Sequence, residues 1–188
     1  MKAIVDYAMR GIYGAWILAR RDGALTAPAY FDLTWEGFWR SFMAPLALLP
    51  LHLLTVAVQN VEADSIDAEL LSGGIAYLGF IALWPLVVIP VARGFGLGAH
   101  YVTYIVAYNW STVIIMAFVL PVSALIAMAP GQVAGLLALA LVVGSLAYVW
   151  VVTRRTLHAP PSLAFAVIVL DLLLTLALDG GADWLASA

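Results

Sequence analysis

The sequence predicts an all-α polytopic membrane helix bundle of five transmembrane helices. An amphipathic interfacial helix precedes them, the N-terminus is cytoplasmic and the C-terminus lies outside. Three observations predict it. Of 188 residues, 65% are hydrophobic and 10% charged, where a soluble domain carries about a quarter of its residues charged. Mean hydropathy is +1.04, so lipid must serve as solvent for much of the chain. All eight basic residues fall in alternate connections between apolar runs.

Residues 1–36 are read as a cytoplasmic amphipathic N-terminal region and residues 37–188 as the five-helix transmembrane domain. The start, Met1-Lys2-Ala3-Ile4-Val5-Asp6, lacks the apolar stretch and cleavage site of a secretory signal, so the first spanning helix is expected to direct its own insertion. Wound as a helix, Ile4, Val5, Ala8, Met9, Ile12, Ala15, Trp16 and Ala19 cover one arc. Lys2, Asp6, Arg10, Tyr13, Arg20 and Arg21 cover most of the other, while Tyr7, Ile17 and Leu18 break the pattern. Such a helix lies on the cytoplasmic leaflet or packs on the bundle's own cytoplasmic face. In "APAYFDLTWEGFWRSF", Pro28 interrupts the chain, and Thr34 with Glu36 supplies a cap and a first-turn acid. Phe31, Trp35, Phe38, Trp39 and Phe42 suit headgroup depth; Trp35, Phe38, Trp39 and Arg40 are the expected interface anchors.

Crossing a bilayer takes about 20 apolar residues. The runs that qualify are 42–58, 74–92, 101–120 (reaching toward 128), 132–152 and 162–178. Lys2, Arg10, Arg20, Arg21 and Arg40 precede the first, Arg93 follows the second, and Arg154 and Arg155 follow the fourth. The other side carries the acidic loop "QNVEADSIDAEL", the turn "MAPGQ" and the tail "DGGADWLASA". The positive-inside rule therefore sets the orientation.

Polar residues within the runs are the candidate site. Asp171 lies near the centre of the fifth, His52 near the middle of the first and Asn109 near the middle of the third. A central aspartate costs roughly 2.5–3.5 kcal/mol on insertion scales and seeks partners. The three side chains are expected to meet at one depth, as a packing clasp or as a proton or ligand site. Tyr101, Tyr104, Tyr108, Thr112 and Ser123 share an arc of the third run, with Ser111 at its edge and Trp110 opposite. That stripe either fills the bundle core or forms one wall of a polar path. Pro50, Pro85, Pro90 and Pro121 predict kinks or local unwinding, and Gly131, Gly135, Gly144 and Ser145 predict close helix approach.

Without cysteine, disulfides and thiolate-held metals are excluded. "ARGFGLGAH" lacks the strand and helix of a nucleotide-binding unit and reads as a cytoplasmic turn. His100 and His158 sit far in depth from His52, which argues against a haem or metal site. Hydrolase and protease motifs do not occur. No enzyme activity, cofactor, metal or nucleic-acid partner is expected; the expected partners are the lipid bilayer and other membrane proteins, or further copies of the chain.

Five helices, the amphipathic start and the acidic-aromatic lead-in "YFDLTWEGFW" resemble the Yip1-domain membrane proteins and their small bacterial relatives. Asp32-Leu33 is similar to that family's short acidic-leucine element. The resemblance implies a non-enzymatic scaffold or interaction subunit of the bacterial inner membrane, and it transfers no catalytic residue. The alternative is a small proton-linked transporter or channel using Asp171, His52 and the tyrosines.

Overall fold

A computed structural model of the chain describes residues 2–20, 27–60 and 65–186. Among them there is no strand. The α-helices are α1 (Lys2–Leu18), α2 (Trp35–Ser41), α3 (Met43–Gln59), α4 (Ile66–Gly94), α5 (Tyr101–Met128), α6 (Gly131–Thr156) and α7 (Pro161–Ala186), with short 3₁₀ turns at Ala27–Tyr30 and Gly98–His100. Five stretches are long and apolar enough to cross a membrane: Trp35–Gln59, Ile66–Gly94, Gly98–Met128, Gly131–Thr156 and Pro161–Leu185. Arg21 and residues 61–64 of the acidic connection lie outside the described residues, as does the end of the C-terminal tail.

Local chemistry explains the boundaries. Asp32 Oδ1 accepts hydrogen bonds from the Thr34 amide (3.1 Å) and hydroxyl (2.6 Å). Thr34 Oγ1 in turn accepts from the Gly37 amide at 3.0 Å, capping α2 as expected. A Cβ at Gly37 would stand 2.2 Å from the Asp32 carbonyl oxygen, so only glycine lets the lead-in lie this close. After a one-residue break at Phe42, α3 continues the crossing.

Two boundaries differ from the sequence expectation. Most of the acidic connection after Ser65 is the first turn of α4, because Asp67 and Glu69 complement a helix N-terminus. The tail is helical through Gly180 and Gly181, so α7 runs well past residue 178. Pro50, Pro85, Pro90 and Pro121 all sit inside uninterrupted helices, with no local unwinding. Between apolar neighbours the remaining backbone groups have no better partner than the helix itself. Gly96, at φ +71°, makes the turn after α4.

The crossing helices alternate in direction. Tyr77 of α4 donates to Pro45 O of α3 at 2.8 Å, and α4 packs antiparallel along α7 through Ser72 with Asp183 and Gly79 with Leu178. Helix α5 lies between α3 and α6. His100 and His158 stack 4.2 Å apart, which joins the turn before α5 to the one before α7 at the arginine-bearing end. The core sits in that half: Trp84, Val88, Ala92, Tyr104, Val152 and Val167 are buried. Toward the acidic end Phe118, Leu125, Leu136, Leu139, Leu173 and Leu176 are exposed, the pattern of a surface made for lipid.

Helix α1 covers the arginine half. Its inward face is built from Gly11, Gly14, Ala15 and Leu18. The residues that break its amphipathic pattern therefore do the packing, since Ile17 and Leu18 are buried and Tyr7 is half-buried. Val5, Met9 and Trp16 stay exposed on an adjoining strip. Tyr7 meets Trp110 edge-on at 5.4 Å and donates to Gly37 O at 3.1 Å. Tyr148 donates to Ala15 O at 2.6 Å, and Arg155 donates to the carbonyls of Leu18 and Arg20. Trp110, opposite the tyrosine stripe, is only 2% exposed because α1 lies over it. The middle of α5 is thus enclosed on every side rather than facing lipid.

A Cβ on Gly11 would stand 2.3 Å from the Trp110 ring. Gly11→Ala is expected to destabilise the protein by about 1–3 kcal/mol, read as a fall of several degrees in Tm in detergent; an unchanged Tm would mean α1 is not seated there. The Thr34 hydroxyl, its strongest partner, holds the Asp32 carboxyl below its ordinary pKa. The stabilisation is present above the unfolded value, about 3.9, and is lost as pH falls through the lower folded value. Asp32→Asn is expected to remove that share of the acid dependence of Tm.

Candidate functional site

The site begins with a spacing on α7. Asp171, Thr175, Asp179 and Asp183 recur every fourth residue and so lie along one helix face. Its first member is buried against α5, while Thr175, Asp179 and Asp183 remain exposed. Asp171, 9% exposed, accepts a 2.6 Å hydrogen bond from Tyr108 Oη. Thr175 Oγ1 donates back to Asp171 O at 3.0 Å. Ser72 of α4 donates to Asp183 near the acidic end.

Opposite this line stands His52 of α3. Its Nε2 lies 3.3 Å from Gly73 O, a separation that suits the tautomer protonated at Nε2. The ring stacks on Tyr77 with centroids 4.3 Å apart and planes 17° from parallel. His52, Tyr77, Tyr108, Asp171, Thr175 and Asp179 line one cavity of about 250 Å³, whose remaining wall is mostly apolar. Asp171 and His52 therefore share a space without touching. On the arginine side of Asp171 the cavity meets packed aromatic rings, with Tyr108 5.5 Å from Trp84 and 5.8 Å from Tyr104. Tyr104 Oη and Trp84 Nε1 are buried and lack a hydrogen bond of ordinary geometry, although they stand next to each other, with Thr153 also beside Tyr104.

Of the expected cluster, the structure joins Asp171 to Tyr108 and puts His52 across the cavity. Tyr104 sits behind Tyr108. Asn109 does not join them: its Nδ2 donates to Ser41 Oγ at 2.8 Å. Ser41 ends α2, whereas His52 lies well along α3, so the middle of the third run is level with the start of the first and not with its centre. The tyrosine stripe is likewise divided, for Tyr101 donates to Pro85 O at 3.1 Å near the arginine end, and Ser123 accepts from Gln59 at 3.1 Å toward the other. Among the interface candidates Trp35 and Trp39 are exposed, but Phe38 is buried and stacks under Trp35 at 5.2 Å. Arg40 lies 4.5 Å over the Tyr7 ring and 3.5 Å from Glu36.

Asp179, Asp183, Ser72 and Tyr77 were not singled out from the sequence. The four-residue spacing from Asp171 was the available signal, hidden by ending the fifth run at residue 178 and reading "DGGADWLASA" as a tail. Chemically, the cavity offers a carboxylate with a phenol donor, an imidazole and a second carboxylate, enough to hold a proton or a small cationic group. Among the described residues no three metal-ligating side chains come together.

Fold and site together define an all-helical bundle with five helices of membrane-crossing length and a carboxylate buried in its interior. No family model, curated protein or solved structure matches the chain.

Tyr108→Phe leaves the buried Asp171 without its donor and is expected to destabilise the protein by about 1–3 kcal/mol. Asp171→Asn keeps an acceptor for Tyr108 and should cost less. Thermal unfolding of both variants in detergent checks the order; equal or reversed losses would mean the hydrogen bond does not hold the site.

Proposed function

We propose that the chain is an integral protein of the bacterial inner membrane, N-terminus cytoplasmic, and that it moves or exchanges protons through the Asp171 cavity, coupled to a small polar solute. The observation that carries this reading is the Asp171–Tyr108 pair in a cavity shared with His52 and Asp179. Interhelical hydrogen bonds in membranes average about 0.6 kcal/mol. An aspartate costs several times that at bilayer depth, so a clasp alone is a weak reason to keep one. The carboxylates at 179 and 183 give protons a stepwise approach from the acidic end, and Tyr108 and Tyr104 stand on the far side of Asp171.

A second reading, a scaffold or interaction subunit as the Yip1-domain resemblance implies, draws support from α6. Among the described residues nothing lies within 4 Å of a Cβ built on Gly131, Gly135 or Gly144, so these glycines, expected to admit a neighbouring helix, meet none there. That face is open to another membrane protein or to a second copy.

Liposomes containing the purified protein and a trapped pH-sensitive dye test the first reading. Wild-type protein should accelerate collapse of an imposed pH gradient, and Asp171→Asn should abolish the acceleration while remaining folded. Equal rates with and without protein, or with and without the carboxylate, would remove it. Crosslinking at Gly135→Cys in native membranes tests the second.

A further inference from the structure

A second polar cavity lies outside the Asp171 site, between α1 and the lead-in to α2. It measures about 640 Å³ and opens to the surface. Its walls carry two guanidiniums, Arg10 and Arg40, and two carboxylates, Asp6 and Asp32. Arg10 uses one nitrogen on Ala29 O at 3.2 Å, which leaves most of its five N–H donors for the cleft. Arg40 is fixed over the Tyr7 ring. Both arginines act electrostatically on Asp32, behind the stronger effect of Thr34, so the charges face a common space. The two bonds from Thr34 fall on Oδ1, at one edge of that carboxylate.

The surroundings set the depth. Trp35 and Trp39, beside Thr34 and Arg40 in sequence, are exposed, as are Ile4, Val5 and Met9 of α1. Exposed tryptophans at the start of a membrane-crossing helix sit at headgroup level, and an exposed apolar strip on a cationic helix belongs in the same layer. Charge selects the ligand further. Two cations and two anions balance, so a purely anionic group gains no net attraction, whereas a group bearing both signs satisfies each pair.

We infer that this cleft binds the headgroup of a zwitterionic phospholipid, its phosphodiester held by Arg10 and Arg40 and its ammonium by Asp6 and Asp32. The guanidinium fork matches two phosphate oxygens, and the acyl chains leave along the exposed strip of Ile4, Val5 and Met9. The site is separate from the proton reading and rests only on the membrane placement proposed above; loss of proton movement in liposomes would leave it untouched.

Native mass spectrometry of the delipidated full chain in detergent, titrated with phosphatidylethanolamine, tests it. One lipid should bind more tightly than the rest. Arg10→Gln and Arg40→Gln should each weaken that binding about tenfold, the size of one lost charge-assisted hydrogen bond. Asp6→Asn should weaken phosphatidylethanolamine but not phosphatidylglycerol, which has no ammonium. If an arginine variant loses its helical circular dichroism, Ala3→Trp decides, since it fills the rim of the cleft without changing a charge and should also weaken binding. Unchanged affinity in the folded variants, or equal affinity for the two lipids, would overturn the assignment. Displacement of the lipid by millimolar inorganic phosphate would also overturn it, making the cleft a site for the free anion.

Discussion

A carboxylate on an apolar helix must find a donor, and that need fixes how α7 is turned. Asp171 reaches Tyr108 only if its side of α7 points inward, and the same rotation lines up Thr175, Asp179 and Asp183, all three exposed, along that side toward the acidic end. The partner helix is shaped to receive α7. Ser72, Ala76 and Gly79 put small side chains on the face of α4 that meets α7, and a Cβ at Gly79 would come within 3.1 Å of Leu178. Close approach brings Ser72 to Asp183, and a cavity lies beside Asp171, lined also by Thr175, Asp179 and His52. One polar requirement thus positions a whole interface. Dispersion along the small-residue contact supplies attraction between helices that lipid does not.

The second requirement is coverage of the arginine half. Trp110 of α5 is buried there, and α1 lies over that region. Its glycine at position 11 is a notch for Trp110, its Tyr7 hydroxyl reaches α2, and Arg155 takes up carbonyls at its C-terminal end. Those carbonyls have no intrahelical donor, so a cation from α6 satisfies them and opposes the negative end of the helix dipole. The exposed apolar strip that remains on α1 gives it two contacts at once, with the bundle and with the interfacial layer proposed for it.

Much of this was legible in the sequence because length and hydropathy decide membrane-crossing helices almost without context: the number of long apolar helices, the Thr34 cap and the inward position of Asp171 follow from residue types alone. Depth was less legible. His52, Asn109 and Asp171 look level when counted from run boundaries, but the first long helical stretch already begins at Trp35, and Asn109 meets Ser41 near its start. Ending the fifth run at residue 178 hid the continuation of α7 through Gly180 and Gly181. Glycine misled elsewhere: Gly131, Gly135 and Gly144 signal close packing, yet among the described residues nothing lies within 4 Å of a Cβ built on them. Trp110 could not be placed without knowing that α1 covers it, a contact between residues far apart in sequence.

Three consecutive residues of α5 tie these parts together. Tyr108 addresses Asp171, Asn109 addresses Ser41 at the end of α2, and Trp110 addresses α1 at Gly11. A rotation of about 100° per residue on a rigid helix sends the three side chains to three neighbours at nearly one level. Rotating α5 to improve any one contact would loosen the other two, so the phenol that serves Asp171 is held by the lead-in and by α1 as firmly as by the cavity. This is a mechanical connection and not in itself a switch, since coupling needs an element with two arrangements. What it establishes is shared support: Tyr7, which lines the cleft between α1 and α2, packs on Trp110, on the same turn of α5 that carries Tyr108.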